Sequence, residues 1–176
     1  AASDGYLRTV GGLAGALEAR GFEPVLVGGM ALVLLGSQRV TRDFDLLVST
    51  QGPPTEDLVR LMYRHHLELV TRFSPEGEVK RTVDNVRIAV AKLKAEQPRS
   101  LFFCNPKTGL RVALLLDFPL PAQPVARRAD KVKVGSGSLR VASTEDLRRL
   151  KEIAYADRRS ASDAQDLEFL KRKMRE

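Results

Sequence analysis

The chain has a single cysteine, Cys104, among its 176 residues, which excludes an internal disulfide framework and a cysteine-rich metal cluster and suits a reducing compartment. No apolar stretch approaches the ~18 residues that a membrane span needs. The N-terminus lacks a charged-then-apolar leader pattern, and neither a low-complexity tract nor a solenoid-type repeat is present. These absences set the expectation of a cytoplasmic protein with no membrane partner. Histidine is nearly missing too. His65 and His66 are neighbours, so their side chains diverge on a helix and read as a solvated helix end rather than a base or metal pair. Phe102 and Phe103 point to opposite faces of a strand and match no RNA-stacking motif of the RRM kind, and Cys104 reads as a small core residue.

What is present is an ordinary globular composition, 43% hydrophobic and 29% charged, in a chain long enough to bury a core without staples. The net charge of +7 is unevenly distributed: residues 1–59 carry −3, residues 60–112 carry +6, residues 113–126 carry −1 and residues 127–176 carry +5. An acidic N-terminal segment in an otherwise basic chain suits a polyanion that brings its phosphates toward a metal.

Helical spacing of apolar residues runs from Ser3 to Arg20 and stops at Gly21. EPVLV (23–27) reads as a buried strand, Gly28-Gly29 as its stop, MALVLLG as a short helix and DFDLLV (43–48) as a second strand. After the QGPP turn, Thr55 is placed to cap a helix reaching about His65. Val79, Val83, Val86, Val90 and Leu93 step by 4, 3, 4 and 3, which predicts one long core-facing helix. Residues 99–105 and 109–118 flank NPKTG as a hairpin, and after the Pro-rich PLPAQP (119–124), KVKV and LRVA flank GSGS as a smaller hairpin. Two capped helices close the chain, starting near Ser143 or Thr144 and near Ser160 or Ser162.

The chemistry concentrates in GGMALVLLGSQRVTRDFDLLV (28–48). Asp43 and Asp45, two apart on a strand, share a face and converge on one point where a metal could sit. Two glycines let backbone approach a triphosphate, N–H groups at a helix start bind its oxygens, and paired carboxylates hold Mg²⁺. Gly28-Gly29, Ala31, Gly36 and Arg39-x-Thr41-x-Asp43-x-Asp45 resemble the opening signature of the DNA polymerase β-like nucleotidyltransferase superfamily. Within it they look most like the AbiEii-type and MenT-type bacterial toxins, and the likeness extends to VASTEDLRRLKEIA and RRSASDAQDLEFL near the C-terminus.

The resemblance implies an α/β (α+β) fold: a small mixed β-sheet core backed by helices over 1–125, with a hairpin and two-helix appendage, 126–176, packed on it. It implies Asp43 and Asp45 as metal ligands for Mg²⁺ or Mn²⁺, and Gly28 and Gly29 on the triphosphate. Thr41 would lie beside the site, Arg39 on phosphate, Lys151 on the nucleotide, and Asp163 would orient that lysine or complete the site. The implied partners are an NTP, an RNA acceptor such as a tRNA 3′ end, and an antitoxin protein.

One position departs from the family pattern. A third carboxylate is expected on a later core strand where this chain has Ala113. Asp117 shares its parity but lies roughly 13 Å further along, too far to serve metals about 3.5–4 Å apart. The site then works with two carboxylates, takes a third from Asp163, or is catalytically degenerate and only binds. An antibiotic nucleotidyltransferase, of the aminoglycoside or lincosamide type, is a further alternative, although so basic a chain attracts cationic substrates poorly.

Overall fold

The computed structural model describes residues 2–176. Helix α1 (Ala2–Ala19) buries Val10, Leu13, Ala14 and Leu17 at the anticipated 3–4 spacing, and Gly21 turns the chain at φ 94°. Strand β1 (Val25–Val27) runs directly into helix α2 (Gly28–Leu34), so the two glycines form its first turn rather than a separate loop. Strand β2 spans Asp43–Val48 and helix α3 Thr55–Arg64. Pro54, not Thr55, occupies the cap position of α3, and its helix start is aided instead by Glu56 and Asp57 in the first turn.

The long helix expected from 79 to 93 does not form. In its place stand a strand pair, β3 (Glu68–Phe73) and β4 (Val79–Val83), and a shorter helix, α4 (Val86–Glu96). Val79 and Val83 are four apart, a spacing that fits a strand face as well as a helix face, and the β-branched V-K-R-T-V run tips the balance. Asn85 then starts α4, its Oδ1 accepting from the backbone N–H groups of Arg87 and Ile88 at 2.9 and 3.3 Å.

The next hairpin forms as expected, from β5 (Ser100–Cys104) and β6 (Arg111–Leu116). The Pro-rich PLPAQP stretch ends in regular structure. It leads into helix α5 (Ala122–Arg128), whose Pro124 lies in the first turn, where its missing N–H leaves no helical bond unmade. Strands β7 (Asp130–Val134) and β8 (Gly137–Val141) form the smaller hairpin. Helices α6 (Thr144–Arg158) and α7 (Ala161–Met174) end the described chain. Ser143 and Ser160 cap them, each hydroxyl accepting at 3.1 Å from the N–H of the aspartate three residues on, Asp146 and Asp163.

All strands join one mixed sheet in the order β4-β3-β5-β6-β2-β1-β8-β7. The C-terminal hairpin is thus not set apart from the core: β8 pairs in parallel with β1, Val25 opposite Arg140 and Leu26 opposite Val141. Phe44, Leu46, Leu101, Phe103, Val112 and Leu114 alternate into a hydrophobic core that also takes the buried residues of α1, α3 and α4. The opposite parity carries the polar chemistry. Asp45 on β2, Ala113 on β6 and Phe102 on β5 are successive register partners in one row across the sheet.

Candidate active site

Strand β2 delivers Asp43 and Asp45 to the same face, and α2 begins against them. A side-chain carbon on Gly28 would fall 2.2 Å from Asp45 Oδ2, and one on Gly29 would fall 2.2 Å from Arg39 Nη1 and 3.2 Å from Thr41 Oγ1. Gly28 also has φ 74°, the left-handed region where a side chain is strained. The glycine pair therefore gives clearance to the acid and the guanidinium as they approach the helix start.

Asp45 is half-buried in the cleft, and its pKa is pushed up to about 6. Burial is the main cause and the nearby Asp43 charge the second, with Lys151, Arg39 and Arg158 opposing both. The pair is left short of positive charge. Two carboxylates on one strand could hold a single Mg²⁺, an ion that usually takes one or two carboxylates and completes its shell with water and substrate phosphate. Among the described residues no cluster of three or more His, Cys, Asp or Glu side chains suits a metal.

Neither Asp117 nor Asp163, the one proposed source of a third carboxylate, joins them. Asp117 caps structure elsewhere, accepting from the Thr50 N–H and hydroxyl at 2.8 and 2.9 Å and from the Ala122 N–H at 2.8 Å. Asp163 is committed to cations. It receives Lys151 Nζ at 3.3 Å and Arg158 Nη2 at 2.9 Å, and these charges and the Ser160 hydrogen bond hold its pKa below the usual value against the opposing effect of burial.

The helical part of the site is a chain of ion pairs. Packing of α7 on α6 brings Lys151 Nζ to 2.9 Å from Asp166 Oδ2, which also lies 3.2 Å from Arg39 Nη1. Asp163 and Asp166 are buried and Lys151 is nearly so. Three cations, Arg39, Lys151 and Arg158, meet two carboxylates, leaving one positive charge beside the acidic pair. Lys151, Gly28 and Asp45 share a cavity of about 490 Å³ whose other walls include Leu115, Phe118, Leu147 and Leu150.

On the far side of Asp45 lies a smaller pocket, about 60 Å³, lined by Asp43, Asp45, Phe73, Phe102, Arg111 and Ala113, among others. Arg111 Nε stands 2.8 Å from Asp43 Oδ1, although the N–H is not aligned for a hydrogen bond and that oxygen is buried without one. Arg111 was missed in sequence. Its signal was register: aligning β6 with β2 sets Arg111 opposite Asp43 and Ala113 opposite Asp45. Asp166 belongs to the Asp-x-x-Asp-Leu stretch of the resemblance without a role of its own, and the packing of α7 on α6 gives it one by setting it against Lys151; Arg158, not anticipated at all, pairs with Asp163.

The expected residues thus meet at one cleft, with Asp43 turned toward Arg111 and Asp163 turned away toward the cations. No family profile matches the chain, and no curated protein matches it. Among solved structures it is similar to an antigenic nucleotidyltransferase-like protein from Paracoccidioides brasiliensis, with a TM-score of 0.56 and 16% identity over 93% of this chain and 74% of that one. The chain has a nucleotidyltransferase-like fold: an eight-stranded mixed sheet backed by helices.

Proposed function

We propose that the chain is a Mg²⁺-dependent nucleotidyltransferase that moves NMP from an NTP onto an RNA hydroxyl, the 3′ end of a tRNA, and that it acts as a toxin opposed by a separate antitoxin. The observation that carries the chemistry is Asp45: an under-neutralised carboxylate, with its pKa raised to about 6, at the shared wall of a roomy apolar cavity and a small aromatic one. The toxin and antitoxin roles rest on the sequence resemblance.

In this reading Asp43 and Asp45 hold the ion, and the 490 Å³ cavity takes the nucleoside against Leu115, Phe118, Leu147 and Leu150. When bound, Mg²⁺ would neutralise triphosphate charge and favour departure of pyrophosphate. Lys151 and Arg39 offer positive charge to phosphate oxygens, and the buried Asp163 and Asp166 fix where that charge stands. The acceptor hydroxyl attacks the α-phosphorus, a new P–O bond forms as the bridging bond to the β-phosphate breaks, and the hydroxyl proton passes to water.

The RNA enters from the Phe102 side. Arg111 lies over the Phe73 ring there, Arg42 is exposed on the approach to β2, where it pairs with Glu78 at 3.1 Å, and Phe102, 44% exposed, packs edge-on against Phe73 at 5.5 Å between ring centres. Aromatic faces beside basic residues suit a splayed nucleotide base.

A second reading, nucleotide or RNA binding without turnover, is favoured by Ala113 and by Arg111 resting on Asp43. Incubating the protein with each labelled NTP, Mg²⁺ and total tRNA separates the two. Transfer predicts label on tRNA; its absence with every NTP, together with saturable NTP binding, would establish the second reading.

A further inference from the structure

Arg111 is held in three ways. Its Nη1 donates to the Gly77 carbonyl at 2.8 Å, its guanidinium carbon sits 5.4 Å from the centre of the Phe73 ring, and its Nε is 2.8 Å from Asp43 Oδ1. The side chain is only 17% exposed. A guanidinium stacked on a ring and tied to a backbone carbonyl is pre-organised, so its charge stays beside Asp43 rather than sweeping through solvent.

The register makes this placement pointed. In the parallel pair β2–β6, Ala113 faces Asp45 and offers a methyl group where a second divalent ion would need another carboxylate, while Arg111 faces Asp43 and supplies a positive charge. The pocket enclosing these four residues is about 60 Å³. With Arg111 on Asp43 Oδ1, the outer oxygen of Asp43 and the carboxylate of Asp45 remain for one ion.

We infer that Arg111 is a built-in cation standing in the place of a second metal, so that this site binds one divalent ion per chain and sets a guanidinium on the acceptor side of Asp45. This inference rests on the nucleotidyl-transfer reading and adds the metal count to it. The missing third carboxylate and the arginine then form one compensated exchange: a ligand and its ion are replaced by a fixed charge.

The test is Mn²⁺ alone, titrated into the protein and counted by loss of the free-ion EPR signal. Wild type is expected to bind one Mn²⁺ per chain. Arg111→Gln, which keeps an amide donor at the position of Nε beside Asp43 but removes the charge, should still bind one, about tenfold more tightly, because a like charge has left the ion's neighbourhood. Arg111→Gln combined with Ala113→Asp should bind two, with folding verified by circular dichroism; if that variant does not fold, Arg111→Gln decides. Two ions on wild type, unchanged or weaker affinity in Arg111→Gln, or a single ion on the folded double variant overturns the inference. Two ions with label still passing to RNA would sink this inference alone; no bound Mn²⁺ and no label would sink the transferase reading with it.

Discussion

Two pairs of aspartates sit on either side of one cleft and live in opposite electrostatic surroundings. Asp163 and Asp166 on α7 are buried but clamped by Arg39, Lys151 and Arg158. Of the pair on β2, Asp43 is ion-paired with Arg111, while Asp45 has no ion pair among the described residues, and its burial and the Asp43 charge raise its pKa to about 6 against the opposing pull of Lys151, Arg39 and Arg158. A pair with its countercharges built in holds elements together. A pair left short of countercharge is open to a cation from outside, and the two arrangements lie within about one helix and one strand of each other.

Removing Asp45 has the largest expected effect. If the proposed function holds, Asp45→Asn should lower NMP transfer by at least about 10³-fold, measured as labelled RNA per minute, since it would remove one of the two proposed metal ligands. The same change in the other pair should act on stability instead. Asp166→Ala leaves Lys151 buried beside a single carboxylate, and truncating one partner of a buried ion pair costs about 3–5 kcal/mol, readable as a fall in the urea midpoint. If Asp166→Ala left the midpoint unchanged, the clamp would not be structural.

The next effect is smaller and opposite in sign. Because the folded-state pKa of Asp45 lies at about 6, above its ordinary 3.8, the fold favours the protonated acid. The stabilisation this gives is complete below pH 3.8 and lost as pH rises through 6. Asp45→Asn should therefore raise the metal-free stability at pH 7, by on the order of 2 kcal/mol, and leave it unchanged only well below pH 3.8. Asp163 runs the other way: with its pKa held below the usual value, its contribution is present above pH 3.8 and disappears as pH falls through the lowered value. Thermal melts of wild type, Asp45→Asn and Asp163→Asn from pH 3 to 8 would show the two slopes crossing; parallel curves would refute the contrast.

Phe102→Ala should have the mildest outcome. Phe102 is exposed, so the melting point should stay within about 2 °C, while loss of a stacking face raises the KM for RNA by about five- to one-hundred-fold, the range for one base, with the KM for NTP unchanged. An equal rise for both substrates would place the RNA elsewhere.

Much of this was legible in the sequence, and the limits have physical causes. DFDLLV was read as a strand with correct bounds because an apolar run with Asp at alternate positions has only one satisfactory period. The strand pair β3–β4 was not read, because valines four apart satisfy two periods at once and only cross-strand partners decide between them. Gly28, Gly29 and Asp45 were singled out together, yet the clearance the glycines provide, for an acid and an arginine rather than for bare backbone, needs the turn of α2 against β2. Arg111 and Asp166 owe their importance to partners 68 and 15 residues away in sequence, Asp43 and Lys151, and spacing carries no such information.

The most direct test of the account follows both ends of the nucleotide. Protein, Mg²⁺ and total tRNA are incubated with NTP labelled at the α-phosphate and, separately, at the γ-phosphate, beside Asp45→Asn. The account predicts α-label on RNA, γ-label released in pyrophosphate, and neither with Asp45→Asn. Label from the γ-phosphate on RNA, or α-label that survives Asp45→Asn, would contradict it.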